Sequence, residues 1–143
     1  FYRLRFYSSI EIVMMSQYII CHGIDLLDLE DFSKIFNNFP QQFKNVYFTK
    51  NELLLIKDNI HMVEKFSSRF AVKEAIMKAL KVGWGNGIAF TDIEVITETS
   101  GALSIKLHRK LEQMQVQKGI KYWSVSTSHS RSTVIASVIG TSL

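Results

Sequence analysis

The chain has 143 residues, enough for one domain with a real hydrophobic core. A hydrophobic fraction of 47%, 12% aromatics and a single Pro exclude a disordered or low-complexity chain. The net charge of +4 suggests an anionic partner, without choosing among nucleic acid, a phosphorylated cofactor and an acidic protein. The one cysteine, Cys21, excludes an internal disulfide and a cysteine-based zinc site; its apolar neighbours suit a buried thiol better than a nucleophile. No apolar run is long enough to span a membrane.

Residues 1–14 carry Arg3, Arg5, several aromatics and two serines, with Glu11 their one acid. They read as an extension ahead of a domain over 15–143. Either the tail of an organelle-targeting leader or an ordinary extension fits this composition. Residues 18–25 read as a buried strand ending in an acid, with Gly23 permitting close backbone approach. A sheet would fix Asp25 well enough to serve as a metal ligand. The alternative is a helix N-cap, for which Asp28 is the better candidate. A short amphipathic helix over 29–39 follows, stopped at Asn37-Asn38-Phe39-Pro40. Thr49-Lys50-Asn51-Glu52 fits a capping box and opens another short helix, broken near Asp58-Asn59.

The centre of the chain is a helix over 69–80, led in by Met62, Val63 and Phe66, with no Pro or Gly until Gly83. At about 100° per residue, Arg69 and Lys73 share one side, and Glu74 and Lys78 share another. Phe66, Phe70, Met77 and Leu80 would face the core. This places a carboxylate beside an ammonium, with two further cations nearby, a plausible cradle for a metal ion and a polyanion. An ordinary surface ion pair between Glu74 and Lys78 is the plainer reading. The loop Gly83-Trp84-Gly85-Asn86-Gly87 closes the helix and could wrap backbone N–H groups around a phosphate, although most such glycines simply make turns.

The second half reads mostly as sheet. A strand over 90–96 turns Asp92 and Glu94 to water. Thr99-Ser100-Gly101 makes a turn, and a strand over 103–107 follows. A helix over 108–117 ends at Gly119. A strand over 122–129, a turn at 130–132 and a last buried strand over 133–139 complete the chain. The pattern predicts an α+β fold in a single domain, an antiparallel sheet packed against a long central helix.

Three stretches together resemble the bacterial-type holo-[acyl-carrier-protein] synthases, the small 4'-phosphopantetheinyl transferases. They are Gly23-Ile24-Asp25 after an apolar strand, Arg69-Phe70-Ala71-Val72-Lys73-Glu74-Ala75 with Lys78 one turn on, and Ser126-Thr127-Ser128-His129 before a final apolar strand. Phe90-Thr91-Asp92-Ile93-Glu94-Val95 is similar to the family's strand after the glycine loop. The order and spacing are more specific than any one piece.

The resemblance implies transfer of 4'-phosphopantetheine from coenzyme A to a serine of an acyl carrier protein, with Mg²⁺, releasing adenosine 3',5'-bisphosphate, in fatty-acid synthesis. It implies Asp25 and Glu74 as magnesium ligands and Lys78 as a catalytic contact to the pyrophosphate. Mg²⁺ indeed favours hard oxygens, commonly one or two carboxylates with phosphate and water. Arg69, Phe70 and Lys73 would help hold the nucleotide. Ser128, His129 and the loop glycines Gly83, Gly85 and Gly87 would lie near the adenosine and its 3'-phosphate. A metal-bound water or one of the carboxylates would take the serine proton. Small members form trimers with active sites between subunits, so a homotrimer is expected. The cytoplasm of a bacterium or a plastid-like organelle would suit the reaction.

The chain departs from the family in two places. Asp28-Leu29-Glu30-Asp31 stands where a basic residue usually meets the acidic carrier protein, which moves the expected contact to Lys34, Lys44 or Lys50. Gly101-Ala102-Leu103 replaces a Gly-Lys-Pro turn. Two rivals remain: an inactive interaction protein of the same fold, disfavoured by retention of Asp25, Glu74 and Lys78, and a nucleic-acid-binding module, disfavoured because the basic residues are dispersed.

Overall fold

The computed structural model describes residues 19–56 and 61–142. The extension read over 1–14, Tyr18 at the start of the first strand and the break at Asp58-Asn59 lie outside them. In chain order the elements are β1 (Ile19–Asp28), α1 (Leu29–Asn38), α2 (Pro40–Tyr47), α3 (Lys50–Leu55), α4 (Met62–Leu80), a 3-10 turn (Phe90–Asp92), β2 (Ile93–Thr97), β3 (Leu103–Leu107), α5 (Arg109–Gln117), β4 (Tyr122–His129) and β5 (Thr133–Thr141).

β5 is the middle of a three-stranded antiparallel sheet, with β1 and β4 on either side; β2 and β3 pair as a separate antiparallel hairpin. Alternation explains the arrangement. Val134, Ala136 and Val138 are fully buried, while the alternate residues Ile135, Ser137 and Ile139 face the other way. α4 lies across the buried face, and Ala71, Val72, Ala75, Ile76 and Leu80 meet the sheet in the main core. The expected α+β single domain, with an antiparallel sheet against a central helix, is the fold observed.

A second core is aromatic. Phe32 and Phe36 of α1, Phe43 of α2, Phe48 just after α2, and Phe66 of α4 cluster together. Phe70 joins the two cores, stacking on Phe90 with centroids 5.4 Å apart and meeting Tyr47 edge-on at 5.2 Å.

Local signals hold at several helix ends. Asp28 caps α1 by accepting from the Glu30 and Asp31 amides, and Thr49 with Glu52 forms the capping box of α3. Others need correction. Pro40 does not simply stop a helix; it stands at the first position of α2, where its missing N–H costs nothing. α4 closes on Lys81 in the left-handed conformation (φ 58), not on glycine. β1 runs to Asp28, so Asp25 sits inside the strand rather than at its end. Asp92 and Glu94 do not face water: they are 3% and 5% exposed. Asp92 takes two hydrogen bonds from the Arg109 guanidinium, and Glu94 is held by Asn51 and His108.

Candidate active site

The site begins with a glycine. A Cβ on Gly23 would lie 1.9 Å from the Ala75 carbonyl oxygen and 2.9 Å from the Ala79 nitrogen. Only glycine lets β1 lie this close to α4. Asp25, two residues on, shares the inward face of the strand. It is therefore carried to the turn of α4 that bears Glu74 and Lys78.

Lys78 Nζ donates to Asp25 Oδ1 at 2.7 Å. The Lys78 side chain is about half exposed and the Asp25 side chain nearly buried. Glu74 is half-buried. Burial, and then the Asp25 charge, push its carboxyl above the usual carboxylate range, with Lys78 partly opposing them. Lys78 thus bridges to another element instead of serving as a simple partner within its own helix. Two acids and one ammonium leave a net negative charge at the strand–helix contact.

That donor set fits a magnesium ion. Two hard carboxylates brought together are relieved by a divalent cation, and Mg²⁺ keeps its remaining positions for water and phosphate oxygens. Among the described residues no group of three or more His, Cys, Asp or Glu side chains is placed to hold a metal.

A second part of the site lies at the other end of α4. A groove of about 390 Å³ is lined by His61, Lys65, Ser68, Arg69, Thr127 and His129, among others. Arg69 is 6% exposed. Its Nη2 donates to Thr97 Oγ1 at 2.7 Å and its Nη1 to the Lys65 carbonyl at 3.3 Å. Its Nε is buried with no hydrogen-bond partner among the described residues. A guanidinium with an unused donor beside Lys65 and His129 suits an anion, although Glu64, paired with His61, also lines the groove. His129, at the exposed end of β4, also lines a smaller cavity of about 220 Å³ together with Ser128 and Leu26.

The structure brings Asp25, Glu74 and Lys78 together, and separately Arg69 and His129. Two residues of the expected nucleotide-binding set, Lys73 and Phe70, are engaged toward the interior instead. Lys73 is fully buried, with its Nζ on Glu52 Oε2 at 2.7 Å and on the Tyr47 and Phe90 carbonyls. It has no face left for a cofactor. Phe70 is occupied by the rings of Phe32, Phe43, Tyr47 and Phe90. Gly83, Gly85 and Gly87 stay on an exposed loop, where Gly85 and Gly87 adopt positive φ and Gly85 exchanges both backbone hydrogen bonds with Ile88. Lys65 was missed in the sequence, although it lies one turn before Arg69 on the same helical side.

A model of the 4'-phosphopantetheinyl transferase superfamily matches residues 22–137. The chain is similar to the holo-[acyl-carrier-protein] synthase of Herpetosiphon aurantiacus, 35% identical over 124 residues, covering 82% of this chain and 95% of that protein. The crystal structure of the Neisseria meningitidis synthase superposes with a TM-score of 0.77 at 28% identity, covering 85% of this chain and 98% of that one. The Helicobacter pylori synthase, solved in complex with coenzyme A, superposes with a TM-score of 0.72 at 29% identity, covering 83% and 98%. The chain belongs to the 4'-phosphopantetheinyl transferase superfamily, among its holo-[acyl-carrier-protein] synthases.

Proposed function

We propose that this transferase moves 4'-phosphopantetheine from coenzyme A to a serine hydroxyl of an acyl carrier protein with Mg²⁺, leaving adenosine 3',5'-bisphosphate. The observation that carries the reading is the convergence of Asp25 and Glu74 across the Gly23 contact, with Lys78 on Asp25. The coenzyme complex of the Helicobacter pylori relative supports the choice of donor.

Asp25 and Glu74 would hold the metal. Bound there, Mg²⁺ would supply positive charge against the pyrophosphate oxygens. Lys78, half exposed on the same turn, can turn its ammonium to a phosphate oxygen and offset charge that grows on the leaving group. The carrier serine oxygen bonds to the β-phosphorus, and the bond from that phosphorus to the bridging oxygen of the departing nucleotide breaks. The two carboxylates are the bases this site offers near the serine proton. Arg69 and His129, with Lys65 beside them, would receive the 3'-phosphate and adenosine.

Partner surfaces follow from charge. On the outer face of the three-stranded sheet, Ile24 and Leu26 are exposed. They stand in register with Ser137 and Ile135, and those with Ser126 and Ser128. None of these six positions carries a charge. A second copy of this chain would cover such a face, as expected for a trimer with sites between subunits. For the carrier protein, Lys34 is already met by Glu30 and Asp31. Lys44 lies over the Phe36 and Phe66 rings. Lys44 and the exposed Lys50 therefore offer the freer charge to an acidic helix.

The test is mass spectrometry of an apo acyl carrier protein incubated with this chain, coenzyme A and Mg²⁺. The expected product is heavier by about 340 Da, and chelation should abolish it. No gain with any carrier protein, together with no coenzyme A binding, would overturn the proposal.

A further inference from the structure

Lys73 precedes Glu74 in α4 but points into the interior. Its ammonium donates to three oxygens from three segments: the Tyr47 carbonyl at the end of α2 (2.6 Å), Glu52 Oε2 of α3 (2.7 Å) and the Phe90 carbonyl of the 3-10 turn (3.2 Å). It also lies 5.1 Å from the centre of the Phe48 ring. Glu52, 1% exposed, is equally committed. Its Oε2 accepts the Thr49 amide and its Oε1 accepts the Val95 amide of β2. One ion pair thus binds α2, α3, the 3-10 turn and β2 to a single point on α4.

Stability alone does not account for such a pair. Burying two charges costs desolvation that their attraction only partly repays, and apolar side chains of similar size commonly serve as well. What the pair adds is direction. Against the sheet, this part of α4 presents Ala71, Val72, Ala75, Ile76 and Ala79, with Ala75 and Ala79 resting on Gly23, and only single hydrogen bonds from Arg69 to Thr97 and from Lys78 to Asp25 flank them. Such smooth contacts set how close the helix lies while resisting rotation or sliding weakly. Three hydrogen bonds from one nitrogen, two of them short, resist both.

We infer that Lys73 and Glu52 are positioning residues: their buried pair fixes the rotation and axial placement of α4 and so holds Glu74 opposite Asp25. The inference rests on the proposed function, because it assigns Glu74 and Asp25 to the metal. It replaces a nucleotide-binding role for Lys73 with one exerted through the adjacent residue. A carboxylate pair that must grip a small cation tolerates little displacement, so a small helix shift is enough to weaken it.

The test compares wild type, Lys73→Met/Glu52→Leu and Glu52→Asp. Glu52→Asp keeps both charges but shortens the acid by one methylene. Measurements are thermal unfolding, Mn²⁺ affinity by electron paramagnetic resonance without coenzyme, coenzyme A affinity by calorimetry, and kcat with KM. Each folded variant should bind Mn²⁺ about tenfold more weakly and lose kcat by about as much, while coenzyme A affinity without metal and its KM stay near wild type. Should the apolar double variant fail to fold, Glu52→Asp alone decides. A folded variant with normal Mn²⁺ affinity and kcat would reduce the pair to packing and overturn the inference. Loss confined to coenzyme A affinity would also overturn it, returning Lys73 to the nucleotide. A wild type that binds no Mn²⁺ and transfers nothing would instead defeat the proposed function.

Discussion

Gly23 and Ala75 are in backbone contact: the α4 carbonyl at Ala75 occupies the space where any side chain at position 23 would begin. Strand and helix meet through a hydrogen atom, and Asp25 depends on that approach to reach Glu74 and Lys78 of α4. Gly23→Ala must push the strand and helix apart, because backbone cannot yield as a flexible side chain can. We expect a stability loss of about 1–3 kcal/mol from overpacking. We also expect turnover to fall by about 100-fold from misplacement of Asp25. Denaturant unfolding and carrier-modification rates check this. A variant that keeps both would show that the contact does not set the site.

Glu74 carries a sign that separates function from stability. Burial and Asp25 raise its folded pKa above the unfolded value. A group raised in this way stabilises the fold below its unfolded pKa, and that contribution is lost as pH rises through the folded pKa. At neutral pH the ionised Glu74 therefore works against folding. Glu74→Gln should melt slightly higher than wild type at pH 7, with the difference closing toward pH 4. The same change should remove metal-dependent transfer by at least about 100-fold, because one of two carboxylate ligands is gone. A variant less stable than wild type but normally active would contradict both halves.

Asp92 and Glu94 carry the opposite sign. Burial alone would raise both. For Asp92 the Arg109 hydrogen bonds, and for Glu94 those from Asn51 and His108, outweigh it and hold the carboxyls below their usual range. Stability from a depressed acid is present above the unfolded pKa, near pH 4, and disappears as pH falls through the folded value. The denaturation midpoint should thus drop steeply below about pH 4. In Glu94→Gln the drop should be shallower and the neutral-pH midpoint lower. Parallel curves for the two proteins would refute this account.

How much of this was legible in the sequence depends on how local each signal is. The Asp28 cap, the capping box at Thr49 and Glu52 and the turn at Gly101 are decided within a few residues, and the structure has them. Alternation in Val134, Ala136 and Val138 is enough to identify a buried strand. Lys73 and Glu52 are 21 residues apart, and Asp92 meets an arginine 17 residues later. Nothing local tells a paired buried charge from a solvated one, so Asp92 and Glu94 read as water-facing and Lys73 as a free cation. Pro40 misled for another reason. Proline ends one helix and begins the next with equal ease, and only packing of Phe43 into the aromatic core shows that α2 follows.

Lys78 is the sharpest test of the chemistry. Its ammonium is half exposed and pairs with Asp25, so removing it takes away little packing. Lys78→Ala should change unfolding only slightly, because partly exposed ion pairs contribute little. Turnover should nevertheless fall by about 100-fold or more, with coenzyme A binding reduced much less. A stability loss with unchanged turnover would make this an ordinary ion pair.

Arg69 gives a test that uses the substrate's own chemistry. Its unpartnered Nε and the groove shared with His129 are assigned to the 3'-phosphate. Dephospho-coenzyme A lacks that group but keeps the pyrophosphate and pantetheine. Wild type should prefer coenzyme A over it in kcat/KM. His129→Ala, at an exposed position, and Arg69→Lys, which keeps the charge but not the fork, should each raise KM for coenzyme A by about tenfold. Neither should alter KM for dephospho-coenzyme A, since the lost contact has no counterpart there. Equal losses on both substrates would move the 3'-phosphate elsewhere and leave the Arg69 guanidinium a structural link between α4 and the end of β2.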